Sequence, residues 1–289
     1  MNEGLQQENL FQLMTKVQAE RIRRAFVFFR ENGIEPILIK GWAIARFYPN
    51  ESERYFSDTD LAVNPTDYSK AADILTIDLK GQLVVDLHDG LQQFDNLPFE
   101  DLFENSELVE FKDIKVRVLR HEDHLRILAV HWLRDGGTPK HRLWDVHYGL
   151  ANRPKDFDWD RFLGTVSKKR RKWIVAAIAL AHRYTNLNVD DTPIAEEVKN
   201  PLLIPKWVKR TLEKEWNDGV KIVPINMVTH DRRELWQQLR KRFPPNPLVA
   251  SMYTDAPLNN FPRLPFQIIN IFQRLKPSIR RNKALIRFK

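Results

Sequence analysis

Three strand candidates of six residues or fewer, at 36–39, 58–63 and 83–88, constrain this chain most. Each is too short for a buried helix, and each follows a stretch of helical periodicity, so each fits a short strand. Residues 5–32 place Leu10, Met14, Val17, Ile22, Ala25 and Phe29 near one helical face, and Gly33 stands where that helix must stop. Residues 42–47 and 68–75 read as further helices, Asn64-Pro65 ends the second strand, and 111–119 adds short strands. The pattern changes at Glu122: residues 124–134, 143–151, 159–166 and 172–184 all fit helices. Prolines at 193, 201, 205 and 224 then break the chain, 232–242 fits one more helix, and Pro244-Pro245-Asn246-Pro247 marks a rigid turn or linker. The expected organisation is α+β: a mixed core at 1–120, a helical domain at 121–243, and a Pro-rich linker with a basic segment at 244–289.

Charge refines this outline. The net charge is +8, yet residues 263–289 hold eight basic residues and no acidic one. Without those eight, the 46 Lys and Arg fall to the number of Asp and Glu, 38. The body is neutral and the excess is terminal, which argues against a global affinity for nucleic acid. Phe266, Ile268, Ile269, Ile271 and Phe272 predict a helix packed on the body, ended by Pro277, with 278–289 as a basic arm. The arm is open to two readings, a solvated end or a contact for a polyanion or acidic partner. The chain contains no cysteine, which removes disulfides and thiolate chemistry together. No apolar run is long enough to span a membrane, and residues 1–9 lack the order of a secretory signal, so a cytoplasmic location is expected.

Asp58-Thr59-Asp60 leads into Leu61-Ala62-Val63. Strand residues two apart share a face, so both carboxylates project together and need a positive partner, as hard oxygen ligands of Mg²⁺ or Mn²⁺ have. Upstream, Lys40-Gly41 closes an apolar run and opens a helix, where a glycine lets a phosphate approach the backbone. Downstream, Asp86 and His88 again share a face. A third carboxylate completes a set able to hold metal.

Lys40-Gly41-Trp42-Ala43, Tyr48-Pro49, Arg54 and Ser57-Asp58-Thr59-Asp60-Leu61-Ala62-Val63 together resemble the uncharacterised nucleotidyltransferases of the DNA polymerase beta-like superfamily. Val85-Asp86-Leu87-His88 resembles that family's third acidic strand, and 124–131 with Arg142-Leu143-Trp144-Asp145 resembles its helical half. The resemblance implies a nucleotidyltransferase core with a short mixed sheet flanked by helices, followed by a helical domain. It implies Asp58, Asp60 and Asp86 as catalytic metal ligands for Mg²⁺ or Mn²⁺. Lys40, Gly41, Trp42, Arg54 and Ser57 would contact the nucleotide. The reaction implied moves a nucleoside monophosphate from an NTP, with ATP expected, to an unidentified acceptor and releases pyrophosphate.

Several side chains stay open at this stage. Trp42 stands where many relatives carry a small residue, and it either stacks on a base or packs under the helix. Lys40 either reaches a phosphate or caps the strand end. Arg54 either orients Asp58, clamps a phosphate, or forms a surface ion pair. His88, His131 and Asp145 are the candidates for an acceptor pocket, against the alternative of buried, hydrogen-bonded groups. Two whole-protein alternatives also stand: transfer of a sugar from a nucleotide-sugar, and a catalytically silent binding module that uses the basic arm.

Overall fold

A computed structural model describes residues 2–54, 56, 58–77, 83–91, 96–220 and 222–274, with side chains described from residue 16. Ser57 and the arm 278–289 lie outside the described residues. The chain divides into two compact units, Met1–Leu128 with Asp145–Ser167, and Ala129–Trp144 with Lys168–Lys289.

The first unit is built on one five-stranded sheet of order β3-β2-β1-β5-β4. Helix α1 (Asn2–Glu31) ends at Gly33, whose φ of 70° closes the turn through its N–H to the Arg30 carbonyl at 2.9 Å. Strand β1 (Ile37–Leu38) follows, then α2 (Trp42–Ala45), β2 (Thr59–Val63), α3 (Tyr68–Ile77), β3 (Val85–Asp89) and α4 (Phe99–Glu104). Strands β4 (Glu107–Phe111) and β5 (Ile114–Val118) form an antiparallel hairpin. β1 pairs antiparallel with β2 and parallel with β5, and β2 runs parallel to β3. This is the expected α+β unit with a short mixed sheet flanked by helices.

Strand alternation explains the core. Leu38, Leu61, Val63, Val116 and Val118 face Ile22, Ala25, Phe26 and Phe29 of α1 on one side of the sheet. Ile37, Ile39 and Ala62 face the other way, with Phe99, Leu102, Leu119 and Ile127. Every residue of β2 is therefore buried, as a strand covered on both faces requires. Helix α5 (His121–Arg134) begins in this unit, and α6 (Leu143–Ala151) returns to it. The helix expected at 159–166 forms as a single π-helical turn, Asp160–Gly164.

The second unit is helical. It contains α7 (Lys168–Thr185), α8 (Ala195–Lys199), α9 (Lys206–Asn217), α10 (Arg232–Arg242), α11 (Pro247–Tyr253) and a helix at 264–274. Buried Trp173 on α7 donates its indole N–H to the Ala256 carbonyl at 2.8 Å. Proline starts α11 directly after Asn246, whose side chain caps it, so part of the expected linker is a helix. The helix at 264–274 is present as expected, but the packed face is polar. Arg263, Gln267 and Asn270 are buried, while Ile268, Ile269 and Phe272 are exposed. Among the described residues no helix is long and apolar enough to cross a membrane.

Candidate active site

Parallel pairing of β2 with β3 sets Asp60 opposite Asp86 and Ala62 opposite His88. Alternation then puts Asp60, Asp86 and His88 on one face of two neighbouring strands. Asp60 is buried and Asp86 exposed, so the cluster has a closed end and an open one. His88 Nε2 lies 3.3 Å from Asp60 Oδ1 and 3.5 Å from Asp86 Oδ2. Lys40 Nζ donates to Asp60 Oδ1 at 2.6 Å. One ligand-capable atom each from Asp60, Asp86 and His88 lies within 4.8 Å of the other two.

Burial alone would push the Asp60 carboxyl up. The hydrogen bond from His88 and the charge of Lys40 outweigh it and hold the group down at about 2. Asp60 is thus a permanent anion near neutral pH, suited to binding a cation and unsuited to taking a proton. The donor set fits a divalent ion, since carboxylate oxygens suit Mg²⁺, and an imidazole nitrogen that gives up its hydrogen bond to Asp60 extends the match to Mn²⁺. Asp58 immediately precedes β2, is exposed, and is not among these three residues.

Gly41 joins β1 to α2 with φ 64° and ψ −124°, a backbone region open to glycine. A Cβ there would sit 3.2 Å from Phe56 Cδ2 and 3.3 Å from the Asp58 carbonyl oxygen. Gly41→Ala is therefore expected to cost about 1–3 kcal/mol and to lower activity, read by thermal unfolding and by turnover. An unchanged melting temperature would contradict this conformation. The helix expected at 42–47 ends after Trp42–Ala45. One turn carries little dipole, so any anion held at Gly41 depends on Lys40 rather than on a helix terminus.

Trp42 packs its ring edge-on against Phe111, with centroids 4.6 Å apart, and donates its indole N–H to Glu51 Oε2 at 2.7 Å. Arg54 is buried, and its fork is closed by Asp145, with Nε to Oδ1 at 2.7 Å and Nη2 to Oδ2 at 3.0 Å. Its remaining nitrogen, Nη1, donates to the Gly41 carbonyl at 3.1 Å, and Tyr48 also donates to Asp145 Oδ1 at 2.7 Å. Asp145 thereby fixes Arg54, and Arg54 fixes the glycine turn. Of the residues considered for an acceptor pocket, His88 joins the carboxylate cluster and Asp145 joins Arg54. His131 belongs to the second unit, where its Nδ1 lies 3.0 Å from Asp135 Oδ2.

His124 supports the same turn from behind. It is fully buried on α5, and its Nε2 meets the Ile39 carbonyl at 2.9 Å, which makes Nε2 the protonated nitrogen. Burial depresses its pKa to about 3. The unfolded chain takes up this proton near pH 6.5 while the folded chain does not. Stability is therefore full above about 6.5 and falls by up to roughly 1.4 kcal/mol per pH unit as pH drops toward 3. Urea midpoints at pH 7.5 and 5 should show a smaller loss in His124→Gln than in the parent chain. Equal losses would assign the acid sensitivity to other groups.

Fold and site together define a class: an α+β protein with a cluster of two carboxylates and an imidazole, able to hold a cation, beside a Lys-Gly turn. Residues 4–78 match the family model described as uncharacterised nucleotidyltransferase, and the match supports a transferase. The matched stretch runs from α1 through α3 and includes Lys40, Gly41, Asp58 and Asp60, whereas Asp86, His88 and Asp145 lie beyond it. No curated protein matches the chain.

Proposed function

We propose that this chain is a metal-dependent nucleotidyltransferase that moves a nucleoside monophosphate from an NTP, with ATP expected, to an acceptor. The observation that carries this reading is the Asp60, Asp86 and His88 cluster beside Lys40, one strand away from the Gly41 turn. Asp60 and Asp86 would hold the ion with His88 beside them, and Asp58 is the further carboxylate at the mouth of β2. A bound Mg²⁺ or Mn²⁺ supplies charge neutralisation for the triphosphate.

The chain's own groups supply positioning. Lys40 offers a point charge for a phosphate, and Gly41 allows close backbone approach. Arg54 acts through the Gly41 carbonyl as a positioning residue, and the engaged indole of Trp42 walls the turn. Asp86, exposed at the open end, would take the acceptor's proton. The acceptor oxygen or nitrogen bonds to the α-phosphorus, the bond to the bridging oxygen breaks, and pyrophosphate leaves. The acceptor class proposed is a small molecule, peptide or protein.

The test follows label from an α-labelled NTP in the presence of Mg²⁺ or Mn²⁺, scored with pyrophosphate release. Incorporation of the labelled nucleotide into an acceptor supports the reading. Turnover of a nucleotide-sugar without incorporation of the nucleotide would replace it with sugar transfer.

A further inference from the structure

The helix at 264–274 reverses the usual amphipathic arrangement. Helices of soluble proteins turn their apolar stripe inward and their polar face to water. Here the anchoring face is polar. Buried Arg263 at its start donates to the carbonyls of Phe261 at 2.7 Å and Pro257 at 3.0 Å, and also to the Asn259 side chain. Gln267, one turn on, donates to the Pro245 carbonyl at 2.6 Å, and Asn270 is fully buried. Arg263 and Gln267 answer carbonyl groups in irregular, proline-rich chain, whereas the Asn270 amide is buried without a hydrogen-bond partner. Their inward position turns Leu264, Ile268, Ile269 and Phe272 outward, and Phe272 is 62% exposed.

Two exposed aromatics contact this helix. Phe261 stands edge-on to Phe266 of the helix, and Arg274 lies over the ring of Tyr253. Arg263 is consumed by its internal hydrogen bonds, which leaves seven of the terminal basic residues: Arg274, Lys276, Arg280, Arg281, Lys283, Arg287 and Lys289. No acidic residue interrupts them. An outward stripe of apolar side chains, followed in the sequence by basic residues without an acidic one, combines the two signals that hold a protein on a lipid surface, where either alone is marginal.

We propose that the exposed face of helix 264–274, with the basic stretch that follows it, seats this protein on an anionic lipid bilayer. Charge and side-chain type select this occupant. A second copy would set like charges against like charges. RNA would find rings to stack on in Phe272 and Phe261, but it would leave the aliphatic Leu264, Ile268 and Ile269 uncovered. An anionic bilayer takes both the aliphatic side chains and the cations.

The full chain would be floated with vesicles of neutral phosphatidylcholine, and with vesicles containing about one-third anionic phosphatidylglycerol, at roughly 0.15 M salt. The expected result is flotation with anionic vesicles, weakened more than about tenfold in Leu264→Ser/Ile268→Ser/Phe272→Ser. Circular dichroism checks that this variant is folded. Arg280→Gln/Arg281→Gln/Lys283→Gln, which leaves the helix intact, is expected to weaken flotation as well. Failure of the parent chain to float would overturn the proposal. So would flotation indifferent to the apolar triple variant, since that is the behaviour of a simple polycation. Dimerisation abolished by the triple variant without vesicle binding would assign the face to a second copy. RNA binding without flotation would assign the arm to nucleic acid.

Discussion

Asp60→Asn is expected to reduce nucleotide transfer by roughly a thousandfold while leaving the chain folded. The substitution keeps the shape of the side chain and removes its charge. Asp60 is the buried carboxylate of the cluster, held ionised by His88 and Lys40, so under the proposed reading it would be the ligand whose charge the surroundings accept. An amide in its place leaves the Lys40 ammonium near a neutral group. That side chain is 22% exposed and can reach water, so the fold loses little. Hard divalent ions bind through ligand charge, and Mn²⁺ affinity, read by electron paramagnetic resonance, should fall together with turnover. Asp86→Asn should lose less affinity, because Asp86 is exposed and its charge is already screened. Asp58→Asn decides a separate question. A loss as deep as that of Asp60→Asn would make Asp58 a ligand in the working enzyme, although it stands outside the cluster of three. Transfer by Asp60→Asn within about threefold of the parent would end the metal-dependent reading.

The strands could be read from sequence because each apolar run is bounded by a residue that stops it. Pro36 and Gly41 flank β1, and Asn64-Pro65 closes β2. The shared face of Asp86 and His88 was also legible, since alternation is a local property. What could not be read is the pairing that sets Asp60 opposite Asp86, which depends on the chain crossing back after α3. Arg54 and Asp145 lie 91 residues apart, and no spacing rule connects them. Asp145 therefore read as a pocket residue, when its carboxylate is occupied by a guanidinium and a tyrosine hydroxyl. His124 read as one of several helix histidines, because its role is a hydrogen bond to a strand carbonyl on a distant segment. The helix at 264–274 shows where periodicity misleads. Its apolar residues predicted an inward stripe, but the carbonyls of Pro245, Pro257 and Phe261 needed donors, and the polar face supplied them.

Asp145→Ala is expected to destabilise the fold by about 3–5 kcal/mol, because it strands the Arg54 guanidinium without its counter-charge. Arg54 and Asp145 have side chains 4% and 7% exposed, so water cannot take over the lost bonds. The Tyr48 hydroxyl loses this acceptor too. In a unit of this size the change should lower the melting temperature by roughly 10 °C. Stability loss alone would not show that the pair matters for chemistry, so a compensated variant separates the two roles. Arg54→Met/Asp145→Leu with Tyr48→Phe replaces the polar network by apolar groups of similar volume, and such exchanges often restore stability. It does not restore the N–H that Arg54 gives to the Gly41 carbonyl. Recovered stability with transfer still depressed more than about tenfold, expressed mainly in kcat, would identify Arg54 as the residue that positions the glycine turn. Full recovery of transfer together with stability would reduce the network to a fold element, and the turn would then hold its shape through Gly41 and His124 alone.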